Sequence, residues 1–424
     1  MTLETFLKHA PPPRPLEDGE TYTVFLSYRS VDRPWVINLH DALSLAGHTV
    51  FLDQLRLVSG EGLGLSLLKG LKRSQTGVII WSAQAASSKW VEREYEVMLE
   101  RKMQRDGFHI VVVKLDRTPL PDLLDGVLTI NFYNYPHGPN GGELLHLLHA
   151  VVGQPLSREA LSFAEDLNAQ AAQAANRITA AVEQGAHGRI SKLMDEGGLI
   201  WDISPALGAQ AVEALAKLGK DDAVVAARAH LAKFPDSLRP AQMLAHALSR
   251  RGAEGDLDEA QDILGTLHAA GHHDPETCGM YGRTFFDRYE QSGSRKFLKR
   301  ARDLYVEGFE HSPDDTYCGI NAASKSAELG DMDAARAYAA DVTKRLPDAI
   351  KSDMSFWTAA TIAEAAAFQH PADAVLALYA QAVDRGLFEE GSHRSAVAQA
   401  ERNGKNLGWS EADLARLHAV FDLD

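Results

Sequence analysis

The chain has 424 residues, a hydrophobic fraction of 45% and a formal net charge of −15. This length is enough for two or three domains, and the hydrophobic fraction excludes an intrinsically disordered chain. Every apolar run is shorter than the roughly 18 residues of a membrane span, and the start of the chain lacks a basic segment followed by a long apolar one. We therefore expect no membrane segment, no secretory signal and a cytoplasmic location.

Charge and cysteine content exclude further classes of protein. Residues 1–155 carry 15 basic and 17 acidic side chains, a net charge of −2, whereas the remaining residues have a net charge of −13. Because an acidic surface repels the phosphate backbone, we expect no nucleic-acid partner. The two cysteines, Cys278 and Cys318, are predicted to be buried thiols rather than a disulfide or a metal site.

Strands alternate with helices in the first part of the chain. Apolar runs predict the strands, and apolar residues at helical spacing predict the helices between them. The predicted strands are 22–28, 48–52, 76–81, 110–113 and 127–130, and the predicted helices are 34–46, 65–71, 90–103 and 142–152. This alternation indicates a five-stranded parallel sheet that is covered by helices on both faces.

The glycine-rich loop after the second strand contains Gly60, Gly62 and Gly64. A dinucleotide-binding fingerprint would need its third glycine at position 65, which is Leu65. A phosphate-binding P-loop would need a Gly-Lys-Ser/Thr sequence, which is absent from this segment. We therefore exclude both nucleotide-binding motifs here.

The segment 87–94 is the strongest candidate for a functional site. Ser87 and Ser88 are suited to cap the helix that follows, and Trp90 and Glu94 lie four residues apart on one face of it. The helix begins near the carboxyl end of a strand, where open parallel sheets form their ligand crevices. Without further context, this Glu would be a solvated residue favoured by the helix dipole, and this Trp a core residue.

Taken together, these segments resemble a TIR domain, the Toll/interleukin-1 receptor module. The stretch 24–29 is similar to the first strand of that family, and 50–53 with Gly60 to its second strand and self-association loop. Ser82 matches the serine that ends the third strand, and Trp90 and Glu94 match the tryptophan and glutamate of NAD-cleaving members. The resemblance implies a flavodoxin-like α/β TIR domain at 21–153, after an N-terminal extension at 1–20.

The resemblance also implies an enzyme that cleaves the nicotinamide–ribose bond of NAD+. NAD+ would be the substrate, with no cofactor and no metal, and Glu94 would be the catalytic carboxylate. The substrate-binding residues implied by the family are Tyr28, Arg29, Phe51, Asp53, Gly60, Ser82 and Trp90. Many members complete this site only when two TIR domains stack, so the resemblance implies activation by self-association into filaments or rings.

Two departures from the family bear on this interpretation. Many receptor TIR domains carry a proline near the tip of the self-association loop, whereas 53–62 contains none, which makes a receptor-adaptor role less favoured. Val58 replaces an acidic residue of some relatives. A scaffold that only assembles and recruits partners stays an alternative to the enzyme, and so does base exchange in the same pocket.

The second half of the chain shows a weak repeat. Prolines at 235, 275, 313 and 347 follow successive helix pairs, and this period resembles tetratricopeptide repeats. We expect a helical connector at 154–205 and an all-α tetratricopeptide-like solenoid at 206–424. The small residues expected where paired helices meet are Ala227, Ala260, Ala301 and Ala339.

The stretch 317–323 has a narrower likeness. It resembles the TRAF-binding segment of apoptosis signal-regulating kinases and related bacterial repeat domains joined to immune effectors. The sequence thus favours a bacterial immune effector whose repeats respond to an unknown protein or small-molecule trigger. Its product would be ADP-ribose or a cyclic variant. Further expectations are a buried amide at Asn321 that ties one helix to a loop, and a core that contains Trp357, Phe368 and Leu376.

Overall fold

The computed structural model describes most of the chain. The described residues are 3–52, 63–104, 107–218, 220–312, 315–350, 355–385 and 390–421. They belong to two compact units, Met1–Gly271 and His272–Asp424. The division between the units lies inside the stretch predicted to form the repeats. Among the described residues, none of the helices combines the length and the apolar character that crossing a membrane would require.

The first unit begins with a five-stranded parallel sheet in the order β2-β1-β3-β4-β5. Its strands are β1 Tyr22–Ser27, β2 Val50–Phe51, β3 Ser74–Trp81, β4 His109–Lys114 and β5 Leu128–Asn131. The helices around it are α1 Leu3–His9, α2 Arg33–Leu45, α3 Leu63–Lys72, α4 Ala83–Ala86, α5 Lys89–Gln104 and α6 Gly141–Val151. The predicted α/β fold is confirmed, although the second strand is shorter than expected.

The central strands β1 and β3 are buried along their whole length. This burial explains the apolar runs at 24–26 in β1 and 78–81 in β3, since helices cover a parallel sheet on both faces. One core cluster joins Phe25, Ile79 and Val112 of the sheet with Val91 and Met98 of α5. Because one face of α5 packs against the sheet, the position of its opposite face is fixed as well.

Helices form the rest of the first unit. They are α7 Arg158–Glu183, α8 His187–Glu196, α9 Leu199–Asp202, α10 Ala206–Leu218, α11 Lys220–Lys233, α12 Leu238–Arg251 and α13 Asp256–Ala269. The helix α7 packs closely on α6 at Gly142, where a Cβ atom would lie 2.2 Å from the carbonyl oxygen of Ala164. The predicted connector is therefore packed directly against the α/β part of the unit.

The second unit is all-helical. Its helices are α14 Pro275–Ser292, α15 Arg295–His311, α16 Thr316–Glu328, α17 Met332–Ile350, α18 Phe356–Ala367, α19 Ala372–Val383, α20 Glu390–Asn406 and α21 Glu411–Phe421. Within each unit, consecutive helices pair as the repeats predicted, and the four alanines expected at the helix contacts are fully buried. Cys278 and Cys318 are buried free thiols, as expected.

Three expectations for the repeats are wrong. We expected a helix to end at Pro347, but α17 continues to Ile350. A proline inside a helix loses its own N–H bond and crowds the carbonyl four residues earlier, which weakens a helix without always ending it. Here the helix continues for three residues beyond Pro347. Trp357 is half exposed rather than in the core, whereas Phe368 and Leu376 are buried as predicted. The expectation for Asn321 is corrected as well: its amide is partly buried and accepts a hydrogen bond from Gln399, so it ties α16 to the helix α20 rather than to a loop.

Candidate active site

Two neighbouring strands end at the candidate site. β1 and β3 lie side by side, and the order of strands along the sheet reverses at this pair. At such a reversal the following connections leave to opposite faces, which opens a crevice at the carboxyl ends of the strands. Ser27 is the last residue of β1 and Ser82 directly follows β3, so both lie at this edge.

The carboxylate of Glu94 is held at this edge by two side chains. Its Oε2 atom accepts a hydrogen bond from the hydroxyl of Ser27 at 2.5 Å, and its Oε1 atom accepts one from Nε1 of Trp90 at 3.0 Å. Hydrogen bonds to an ionised carboxylate are shorter and stronger than neutral ones. One donor on each oxygen fixes the orientation of the carboxylate plane.

Serine caps set the start of the helices that carry these residues. Ser82 accepts a hydrogen bond from the backbone N–H of Ala85 at 3.1 Å and begins α4. Ser88 accepts one from the backbone N–H of Val91 at 3.3 Å and begins α5, as the sequence predicted. Because α5 begins at Lys89, Trp90 lies in its first turn, one turn before Glu94.

A second carboxyl group lies behind Ser82. Asp32, in a short 3-10 turn between β1 and α2, accepts a hydrogen bond from the Ser82 hydroxyl at 2.7 Å. Burial raises the pKa of Asp32 to about 6. The hydrogen bond from Ser82 opposes this rise, the charge of Asp116 adds to it, and Arg29 opposes it.

Asp116 is a third carboxyl group at the same edge, and it follows β4. It accepts hydrogen bonds from the backbone N–H groups of Ala83 and Thr118, each at 2.8 Å. Burial alone would raise the pKa of Asp116, but the bonds from Thr118 and Ala83 outweigh it and the pKa is lowered. The edge therefore carries three carboxyl groups in different surroundings.

The residues predicted to bind substrate differ in how exposed they are. Trp90 is 37% exposed beside Glu94, whereas Tyr28 is buried and Arg29 is partly buried. The ring of Phe51, which we expected in the cleft, stacks on Phe25 in the sheet core with 5.3 Å between ring centroids. Its position follows from the apolar strand that carries it.

The rest of the self-association loop lies outside the described residues. This applies to Asp53 and Gly60, which we predicted to bind substrate, and to Val58. Sequence reasoning missed Ser27, Asp32 and Asp116 as members of the site. A signal existed for each of them, since Ser27 lies within the last two residues of the predicted strand 22–28, Asp116 lies shortly after the predicted strand 110–113, and Asp32 lies in the first loop at the same edge.

Comparison with known proteins identifies two parts of the chain. Residues 24–145 match the family described as TIR domain, and residues 211–326 match the family described as Tetratricopeptide Repeats-Sensor. The chain is 37% identical over 93 residues to disease resistance protein RPV1 of Vitis rotundifolia, and 35% identical over 94 residues to disease resistance protein RUN1 of the same plant. Each match covers 22% of this chain but only 6% and 7% of the plant proteins.

The chain is also similar to a solved structure. It is that of a thermophilic TPR protein in Thermus thermophilus, with 18% sequence identity and a TM-score of 0.37. This match covers 46% of the present chain and 98% of the other. From the two family matches, the chain carries a TIR domain at residues 24–145, followed by a tetratricopeptide-type sensor repeat region.

Proposed function

We propose that this protein is an NAD+ glycohydrolase that acts in immune signalling. The observation that carries the proposal is the carboxylate of Glu94, held by Ser27 and Trp90 at the carboxyl edge of the sheet. The match to a TIR domain supports the reaction, because some TIR domains cleave NAD+. The names of the plant relatives, disease resistance proteins, support a role in defence signalling.

The proposed reaction needs a carboxylate but no general acid. The nicotinamide of NAD+ is a cationic pyridinium, and it leaves as a neutral molecule when the electron pair of its bond to ribose moves onto the ring nitrogen. Positive charge then develops on the ribosyl carbon, as in glycoside hydrolysis. Water adds to this carbon and loses a proton, which gives ADP-ribose. Attack by a nitrogen of the adenine instead would give a cyclic product.

Each residue at the site has a proposed role in this reaction. The Glu94 carboxylate stabilises the positive ribosyl group and accepts hydrogen bonds from ribose hydroxyls. The indole of Trp90 offers an apolar face to the nicotinamide ring. The guanidinium of Arg29 pairs with a phosphate of the substrate. Tyr28 and Ser82 line the crevice.

We propose that assembly controls the activity. TIR domains commonly self-associate, and the loop 53–62 of one copy, with Asp53 and Gly60, would cover the site of the next. Such a head-to-tail contact produces rings or filaments. The sensor repeats would favour or oppose this contact when they bind a ligand or protein. The buried free thiols suit a reducing compartment, which supports a cytoplasmic location.

The experiment is an NAD+ cleavage assay on the full-length protein at high concentration, with nicotinamide release measured by liquid chromatography. Removing an electrostatic stabiliser of a transition state costs about 100- to 1,000-fold in rate, which is the loss we expect for Glu94→Ala. Glu96→Ala is the matched control, since Glu96 is exposed on the same helix. Equal release from wild type and Glu94→Ala would remove Glu94 from this role. No release from wild type under any assembly condition would favour the scaffold.

A further inference from the structure

The helix α20 crosses three other helices of the second unit. Its Arg402 donates a hydrogen bond to Glu290 of α14 at 3.0 Å, and its Asn403 accepts one from Ser324 of α16 at 2.7 Å. Asn403 also donates to Glu364 of α18 at 2.9 Å. In a regular stack of helix pairs each pair contacts only its neighbours, whereas α14 and α20 are three pairs apart along the chain. The helix α20 therefore lies over a face that α14, α16 and α18 share.

The apolar packing of α20 is limited. The ring of His393 contacts Phe356 of α18, with 4.8 Å between ring centroids. The buried apolar residues that α20 adds to the core around α18, α19 and α21 are small, and they are Ala396, Val397 and Ala400. Small side chains remove little apolar surface from water, so they contribute little to holding α20 in place. The polar contacts with α14, α16 and α18 therefore supply much of its attachment.

Two charged side chains lie beneath α20. Lys325 is 1% exposed, and its Nζ atom lies 3.6 Å from the centroid of the Phe286 ring and donates a hydrogen bond to Oε1 of Gln399 at 3.3 Å. Nε2 of Gln399 donates to the carboxylate of Glu364 at 2.8 Å. Burial lowers the pKa of Lys325 to about 7 and raises the pKa of Glu364. Because the removal of charges from water offsets much of what such contacts contribute, a helix of similar chemistry is able to compete with α20 for this face.

The first turns of α16 and α18 carry two accessible aromatic side chains. Tyr317 of α16 is 49% exposed and Trp357 of α18 is 50% exposed. Tyr317 lies one turn before Asn321, whose side chain accepts a hydrogen bond from Gln399, and Trp357 lies two turns before Glu364. Residues at these spacings lie on one side of a helix, so both rings are on the side that α20 contacts. Trp and Tyr are the residues that most often anchor a protein partner.

We propose that the face formed by α14, α16 and α18 is a docking surface for an amphipathic helix of a partner protein, and that α20 occupies it as an internal ligand. The partner helix presents a glutamine and, three and four residues later, an arginine and an asparagine, in the way that α20 presents Gln399, Arg402 and Asn403. An apolar end that reaches Tyr317 and Trp357 adds contact area, which favours the partner over α20. Docking rests on the proposed function only for its regulatory consequence and not for NAD+ cleavage, so the test measures binding alone.

The probe is a fluorescently labelled peptide with the sequence of α20, residues 390–406, and its binding to the full-length protein is followed by fluorescence anisotropy. Arg402→Ala/Asn403→Ala in the protein weakens the internal helix but leaves the docking face intact, so the face is free in a larger fraction of the molecules. We expect this variant to bind the peptide about tenfold more tightly than the wild type does, which corresponds to one or two hydrogen bonds. Glu401→Ala/Lys405→Ala is the matched control, since it removes an exposed ion pair within α20, and it is expected to bind the peptide like the wild type.

Two further measurements complete the test. A peptide that itself carries Arg402→Ala/Asn403→Ala is expected to bind the variant protein about tenfold more weakly than the unchanged peptide. Hydrogen exchange on the wild type needs no variant: α20 is expected to exchange at least about tenfold faster than α18 and α21, because α21 is packed on α19 through Phe421 and Tyr379 and stays in place when α20 detaches. The comparison with α21 separates detachment of α20 from fraying of the last described helix.

Thermal unfolding checks that every variant is folded. The proposal is overturned if the folded Arg402→Ala/Asn403→Ala protein binds the peptide no more tightly than the wild type, if the control variant gains as much, or if the changed peptide binds equally well. It is also overturned if α20 exchanges as slowly as α18. Unlabelled wild-type protein that competes as strongly as the unlabelled peptide would assign the face to α20 of a second copy and overturn the partner helix.

Discussion

The hydrogen bond between Ser27 and Glu94 gives the sharpest test of how the candidate site works. The Ser27 side chain is 1% exposed, and its hydroxyl lies 2.5 Å from Oε2 of Glu94. Ser27→Ala removes this donor and only one atom of volume. A hydrogen bond to a charged group contributes about 1.5–3 kcal/mol, which corresponds to about 10- to 150-fold in rate if the bond acts fully in the transition state.

The assay is steady-state NAD+ cleavage by the full-length protein. Because Ser27 orients a carboxylate that stabilises the transition state, we expect kcat to fall by this factor while KM changes little. Ser88→Ala is the matched control: Ser88 is similarly buried and caps α5, but it does not contact the Glu94 carboxylate through any hydrogen bond that the described residues show. Its loss costs about 1 kcal/mol of stability and is expected to leave kcat unchanged well below the unfolding temperature.

Three results would contradict this reasoning. If Ser27→Ala kept the wild-type kcat, the bond to Glu94 would have no part in catalysis. If Ser88→Ala lowered kcat as much as Ser27→Ala, the effect would come from general loss of stability in α5. A rise in KM at constant kcat would assign Ser27 to substrate binding instead.

Three further predictions concern stability and are checked by denaturant unfolding. The pKa of Asp32 is raised by burial to about 6 from 3.8, so the wild type loses about 3 kcal/mol of stability as pH rises from 4 to 6, and Asp32→Asn lacks this loss. The pKa of His48 is lowered by burial to about 4 from 6.5, so the wild type loses about 3 kcal/mol as pH falls through this window, and His48→Asn lacks this loss. Parallel pH curves for variant and wild type would contradict either prediction. Glu213→Ala removes a partly exposed partner of Arg239 and His137, and we expect it to lower the free energy of unfolding by about 1 kcal/mol. An unchanged free energy of unfolding would contradict this prediction.

The sheet could be predicted because burial on both faces leaves a direct mark on sequence. β1, β3 and β4 each contain an apolar run, and their order along the chain with helices between them leaves few possible topologies. Phe51 shows the limit of inference from a family resemblance. The resemblance implied that its side chain lines the cleft, but its ring packs on Phe25 and Tyr22 in the core.

The partners of Glu94 show why the site was only partly predictable. Trp90 lies four residues away on the same helix, so their proximity follows from helical geometry. Ser27 lies 67 residues away, and its contact with Glu94 exists only because α5 packs beside β1 in the folded sheet. The same reason applies to Asp32 and Ser82, which are 50 residues apart. Neither pair leaves a local pattern in the sequence.

The three carboxyl groups at this edge differ in their partners, and this difference supports the proposal that Glu94 is the catalytic one. Asp116 accepts two backbone N–H groups, so its charge is used to fix the start of α4. Asp32 is bound behind Ser82, where burial favours its protonated form. Glu94 accepts hydrogen bonds from the side chains of Ser27 and Trp90, and Trp90 is partly exposed. A carboxylate that is to meet a positive ribosyl group has to be both oriented and accessible, and among these three we propose Glu94, because two side chains orient it and the partly exposed Trp90 lies beside it.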